Sequence, residues 1–411
     1  MKVRMLLLVG LCLLAAAAWG QNSNGSDGAL NITSATPGVV NNVLIFDPRS
    51  FSPALDPDGD NVYHFTTVTI ASGITVKLKA SKMRLQGPVV WLATGDVTFN
   101  GWLDLRGEDG YFGSVNLSLQ KPAEPGPGGF PGGMGARAGG QPQPGRGPGG
   151  GAASTIQWGC SGGYAGSVTH QAGICAGGGA GYGSNLLQPL IGGSGGGGGM
   201  GSGGYPGSGG GAGGGAIRIR SATRINGAGS ILADGGSTAY VGSSYSGAGS
   251  GGAIHLQAPQ VTAHISAAGG AAYNNAEPSQ PGRVRVDSDQ PSVDSNPAAL
   301  TGPFTGVNIS LPTIASVRVV SIRGVAVPEV PNALYTLPDV QINDTTPVPI
   351  VIVAYNIPIG TVVRLYISSA DTGLDMTADT TPLAVAAGGL TGTATVALPS
   401  GVSRIYVRAT W

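Results

Sequence analysis

The sequence predicts an all-β protein: a right-handed parallel β-helix with long Gly-rich loop insertions, followed by an antiparallel β-sandwich. Three observations predict it. The first is a repeat. The stretch 88–107, PVVWLATGDVTFNGWLDLRG, returns at 214–236 as GGAIRIRSATRINGAGSILADGG and at 251–270 as GGAIHLQAPQVTAHISAAGG; a fourth start, GRVRVDS, opens at Gly282. Each copy holds two or three short β-type runs and cannot bury its apolar residues alone, so the copies must stack. The second is glycine, 74 of 411 residues, far above the usual share of about 7%. The third is a change of character past residue 306, where glycine falls and short β-runs recur about every ten residues between turn signals.

The chain opens with a secretory leader, 1–20. Lys2 and Arg4 precede an apolar run over 6–18, and Ala18-Trp19-Gly20 supplies a small-x-small cleavage site. The run is too short to span a bilayer comfortably, and no transmembrane segment is expected elsewhere. The leader implies a secreted or cell-surface protein. Export in turn makes a disulfide between Cys160 and Cys175 the expected state, with two buried thiols as the alternative. With 21 basic and 21 acidic residues the net charge is zero, so no global charge argues for nucleic acid or an anionic membrane.

The elements follow in order. Residues 21–55 form an N-terminal segment and cap: 21–34 is Asn/Ser/Gly-rich and reads as loose, while 39–46 (VVNNVLIF) is a first strand that could cover the open end of the helix. The run DPDGDN at 56–61 sets Asp56, Asp58 and Asp60 at alternate positions, which suits a hard cation such as Ca²⁺. Its glycine stands fourth rather than sixth and no Glu follows at position twelve, so a polar turn before a strand is the competing reading. Beyond Ca²⁺ at that loop, no cofactor is indicated.

The helix spans 56–287. Its first repeat, 62–85, alternates at period two and carries a basic run, Lys77, Lys79, Lys82 and Arg84, that reads as a solvated face, with polyanion contact as the alternative. Aligning the repeats puts Val90, Ile217, Ile254 and Val284 in one inward column and Leu92, Ile219, Leu256 and Val286 in the next. The intervening Trp91, Arg218, His255 and Arg285 then form one outward ladder. Phe99 aligns with Ile225, and Leu103 with Ile231 and Ile265. Between repeats, 107–215 is a glycine-dominated insertion. It reads either as a flexible brush or as close-set polyproline II segments, which glycine permits by its small size. Residues 288–305 read as a linker, and 306–411 as a β-sandwich of immunoglobulin-like type.

The run HFTTVTIASGITVKLKA, then GPVVWLATGDVTFNGWLDLRGEDG, GGGAIRIRSA and GSGGAIHLQA, resembles a group of exported bacterial proteins that combine a glycine-rich parallel β-helix with low-complexity loops. More distantly, the repeat plan is similar to pectin-lyase-like β-helices and bacterial adhesins. The resemblance implies architecture and carries over no catalytic residue.

Glycosidic cleavage needs two carboxylates facing one bond. The candidate acids here are Asp96, Asp104, Glu108, Asp109 and Asp234, and their columns do not bring a second acid opposite. Asp96 sits in a Thr-Gly-Asp turn, and Arg106 aligns with Asp234 as an ion pair between repeats. His64, His170, His255 and His264 are scattered. The functional expectation is an exported, non-enzymatic surface, structural or adhesion-type protein. The alternative is a polysaccharide-binding or -cleaving protein using the ladder Trp91, Arg218, His255 and Arg285. Either way the expected partners are extracellular polysaccharide or cell-envelope components.

Overall fold

A computed structural model describes residues 23–411 except 58, 114–119, 137–140, 155–158, 166–176, 202–205, 242–243, 273–278, 305–314, 330, 332–337, 344–345, 370–374 and 387. The leader, Asp58, His170 and Cys175 therefore lie outside the described residues. The fold is all-β, with one large, mostly parallel sheet and separate antiparallel sheets.

The parallel sheet consists of three ladders, to which successive repeats contribute in turn. The first joins the start of Val62–Ile70 to Val89–Ala93, Ala216–Ser221, Ala253–Gln257, Arg283–Asp287 and Leu300–Gly302. The second joins Gly28–Ile32, the end of Val62–Ile70, Val97–Phe99, Arg224–Asn226, Gln260–Ser266 and Gln290–Asn296. The third joins Val43–Ile45, Thr75–Lys77, Trp102–Asp104, Ser230–Leu232 and the ends of Gln260–Ser266 and Gln290–Asn296. All three send alternate side chains into one core containing Val68, Leu103, Ile217, Ile225, Ile254, Ile265 and Val284. Its N-terminal end is aromatic: Phe46, Phe51, Tyr63, Phe65 and Trp91 form a chain of ring contacts.

The columns Ile217, Ile254, Val284 and Ile219, Leu256, Val286 pair as the sequence predicts. The earlier repeat is one residue out. Val89, not Val90, is opposite Ile217, and Trp91 is opposite Ile219. A slip of one exchanges the faces of every side chain in a strand. Trp91 therefore lies in the core with no exposed surface, and Val90 takes the outward place beside Arg218. The alternation carried no phase because VVWLA is buried on both faces, and such strands read as continuous apolar runs. Ile225 is opposite Val97 rather than Phe99, a slip of two that keeps the face.

Two segments expected to be irregular are strands. Gly28–Ile32 pairs with Val62–Ile70, anchored where Asp27 Oδ2 accepts from the His64 N–H at 2.6 Å. Gln290–Asn296 and Leu300–Gly302 continue the ladders beyond 287 in place of a linker. Their polar composition belongs to a terminal strand with exposed residues, where little apolar surface is needed.

The described glycine segments are packed, not a brush. Along 207–215, the N–H groups of Gly207, Gly210 and Gly213 donate to Ala136, Gly133 and Phe130. Those of Gly209, Ala212 and Gly215 donate to Tyr111, Glu108 and Leu105, and those of Gly211 and Gly214 to Gly247 and Ser250. Residues three apart thus face the same neighbour, the period of a polyproline II helix. The run 192–199 behaves likewise: Gly193, Gly196 and Gly199 donate to Gly214, Gly211 and Ser208. Both runs are buried. A Cβ on Gly213 would stand 1.9 Å from the Gly193 carbonyl oxygen, and one on Gly196 would stand 2.2 Å from that of Gly247. Only glycine permits backbones this close, as at the axis of collagen.

The C-terminal region forms two antiparallel sheets, one centred on Val348–Tyr355 and one on Val363–Ser369. Their facing side chains, among them Ile350, Leu365, Ile367 and Val396, share a core. Arg146 of the glycine region sits over the Tyr406 ring at 4.3 Å, and Tyr406 Oη donates to Met134 Sδ at 3.1 Å, so these sheets lie against the bundle.

Candidate functional site

The first ladder's outward face carries Arg218, His255 and Arg285 in one column, as expected, with Val90 rather than Trp91 beside them. The face is not open to solvent. Arg218 is 1% exposed and His255 3%. Tyr164, Leu187 and Leu190 of the insertion pack on Val62, Val90, Leu92, Ala216 and Ala253. Arg283 donates to the Tyr182 carbonyl and stacks on Tyr164 at 5.0 Å, and Arg285 Nη1 donates to Asn185 O at 3.4 Å. The sequence offered no warning of this cover, because the residues that supply it lie in a low-complexity stretch.

Beneath it the charged groups bind one another, although Arg218 Nη1 and Gln257 Oε1 are buried with no hydrogen-bond partner among the described residues. Arg218 Nε donates to His255 Nδ1 at 3.2 Å, and His255 Nε2 lies 2.8 Å from Asp287 Oδ2. A guanidinium N–H can only donate, so Nδ1 accepts, and the imidazole proton sits on Nε2, directed at Asp287. Gln257 Nε2 adds a bond to the same oxygen at 3.1 Å, and Arg285 Nη2 stands 2.8 Å from Oδ1. Burial lowers the His255 pKa below its ordinary value, outweighing the hydrogen bond to Asp287, which raises it; the nearby Arg218 charge lowers it further. The imidazole is therefore neutral at pH 7. Asp287 moves down to about 2: burial would raise it, but hydrogen bonds from His255 and Arg285 prevail. Burial also lowers Arg218, to about 10, which leaves it charged. Gly302 crosses this cluster, and a Cβ there would stand 2.7 Å from Asp287 Oδ1. A carboxylate held by this many donors is a poor proton acceptor, so the arrangement clamps the insertion onto the ladder.

The remaining sequence candidates fall elsewhere. Asp56 accepts from the N–H groups of Asp60 and Asn61, both at 3.0 Å, and Asp60 Oδ1 accepts from Val62 N–H at 2.8 Å. These carboxylates are turn formers, and among the described residues no group of three metal-ligating side chains is found. Cys160 is buried, while its expected partner, Cys175, lies outside the described residues. Asp96 binds Thr223 and Arg224. Arg106, just past the strand Trp102–Asp104, forms a two-point pair with Asp104, at 3.0 Å for both bonds, rather than with Asp234. The expected solvated basic face is partly committed: Lys79 bridges Glu108 and Glu124, each at 3.0 Å, and Lys82 reaches Asp47 at 3.3 Å.

A different face is open. On the third ladder Leu103 and Leu105 point into the core, so Trp102, Asp104 and Arg106 point outward; Trp102 is 56% exposed. Where this ladder runs into the glycine bundle, a cleft of about 560 Å³ is lined by Lys77, Arg106, Glu108, Asp109, Asp234 and Ser237, with the backbone of 268–271. Sequence alignment pointed past this face because its column varies from repeat to repeat. Compared with protein-family models, curated proteins and solved structures, the chain matches none.

Proposed function

We propose that the protein is an exported, non-enzymatic scaffold of the cell surface or matrix, of structural or adhesion type. In this reading the three ladders wind as a right-handed parallel β-helix, and the leader directs secretion. A Cys160–Cys175 bond staples the insertion, and the C-terminal sheets act as an immunoglobulin-like attachment or recognition module. The likeness to glycine-rich β-helix proteins is one of plan. The observation that carries the proposal is the threefold hydrogen bonding of the glycine segments, in which Gly207, Gly210 and Gly213 face one neighbour while Gly209, Ala212 and Gly215 face another. Such cross-linking gives a stiff body from segments with almost no side chains. The acids singled out in the sequence also bind neighbouring cations, Asp96 with Arg224 and Glu108 with Lys79, as expected of structural pairs.

Amide hydrogen exchange on the secreted protein tests this reading. Slow exchange at Gly196, Gly211 and Gly213, comparable to Ile217 and Ile254, is expected. Exchange at the rate of an unstructured peptide would remove the scaffold. Cell fractionation supplies the second arm, and a wholly cytoplasmic product would overturn export.

A further inference from the structure

The polysaccharide groove that the sequence suggests on the first ladder is closed, but the third ladder offers one with different chemistry. We infer that the third ladder's outward face, from Trp102 to the cleft at Arg106 and Asp234, binds a neutral glycan chain. Trp102 stands opposite Thr75 in the ladder, in a strip continued by Ser230 and His264. An exposed tryptophan flanked directly by Thr75 and Ser230 presents a flat apolar ring between small polar side chains. That suits the face of a sugar ring better than a protein surface, which needs a larger hydrophobic centre. Four residues further along, about 13 Å at the rise of a β-strand, Arg106 enters the cleft.

The cleft supplies the other half of sugar recognition, oriented hydrogen-bonding groups. Asp109 Oδ1 accepts from the Ser237 N–H at 2.7 Å. Asp234 Oδ1 accepts from the Ala268 N–H at 2.8 Å and from the Ser266 hydroxyl. Each carboxylate is thereby fixed in orientation through Oδ1, and Oδ2 has no partner among the described residues. The paired Arg106–Asp104 guanidinium is likewise held in place. Groups immobilised in advance bind hydroxyls without a large ordering cost.

Charge selects the class of glycan. Arg106 is neutralised by Asp104, and Glu108 and Glu124 together by Lys79 and Lys121. Lys77 is left facing Asp109 and Asp234 across the cleft. The balance is slightly negative, so a uronate or sulfated chain is disfavoured and an uncharged, hydroxyl-rich chain is accepted.

The test uses the full secreted chain on an array of neutral and acidic polysaccharides, followed by calorimetry with the hexasaccharide of a retained glycan. At least one neutral glycan is expected to be retained in preference to oligogalacturonate. Trp102→Ala and Asp234→Asn should each weaken binding about tenfold or more, in the range of interface hot spots. Arg224→Ala, on the second ladder, should leave it unchanged. Retention of acidic glycans alone, retention of no glycan, or undiminished binding by Trp102→Ala each overturns the inference. Because Trp102 is exposed, that variant keeps the fold, and near-ultraviolet circular dichroism checks it. The scaffold reading rests on hydrogen exchange and fractionation, so the two can fail separately.

Discussion

The ladder core and the glycine bundle are continuous in the chain, yet opposite means hold them together. In the ladders, side chains such as Trp91, Ile217 and Leu256 fill a common interior, and the backbone spacing follows from strand pairing. In the bundle the side chains are nearly gone, and backbone carbonyls and N–H groups of up to three donor-side neighbours surround each run. The first region tolerates exchange among apolar residues of similar volume. The second tolerates almost nothing larger than hydrogen at its contact positions. Low-complexity sequence can therefore encode a specific structure when the smallest side chain is itself the packing requirement.

The comparison can be broken most severely at the aromatic end of the core. Trp91→Ala should cost about 3–5 kcal/mol, read by urea unfolding of the ladder region. A loss under 1 kcal/mol would mean that Trp91 is not the buried residue described. The clamp joining the two regions comes next. Arg218→Met leaves the buried His255 Nδ1 without its donor, and an unsatisfied buried acceptor costs about 1–3 kcal/mol. The loss should appear first as protease sensitivity near the exposed Leu186, with the ladder core intact.

Within the bundle, Gly213→Ala should cost about 1–3 kcal/mol through overpacking, whereas Ile217→Val in the adjoining strand should cost about 0.5–1.5. If the alanine variant melts at the wild-type temperature, backbone contact is not what holds the segment.

The clamp also makes stability depend on pH. His255 has a folded pKa below its ordinary 6.5, so the unfolded chain binds more protons in that window. Stability is full above pH 6.5 and declines as pH falls through it. Asp287 adds a second loss, about 2 kcal/mol from its move to about 2, spread between roughly pH 5 and 2. Melting temperatures at pH 7.5, 5.5 and 4 should fall in that order, and His255→Gln should flatten the first step and reduce the second, because the His255 hydrogen bond helps hold the Asp287 pKa down. The smallest effect belongs to the surface. Arg224→Ala removes an exposed pair with Asp96 and should change stability by about 0–1 kcal/mol, which serves as the control for the others.

Much of the ladder region was legible. Period-two alternation and the copies at 214–236 and 251–270 placed Ile217 opposite Ile254 and Ile231 opposite Ile265, because hydrophobic side chains on one face of a strand have only one place to go. The polyproline II alternative for the insertion was visible too, since glycine at that density can do little else that is ordered. Tertiary structure alone decided the rest. Trp91 turned inward because its strand is covered on both sides, which erases the alternation that would have set its phase. Arg218 and His255 were buried by Tyr164, Leu187 and Leu190, residues distant in sequence and carrying no periodic signal. Local pattern specifies which residues share a face of a strand; whether that face meets water depends on what the remainder of the chain lays over it.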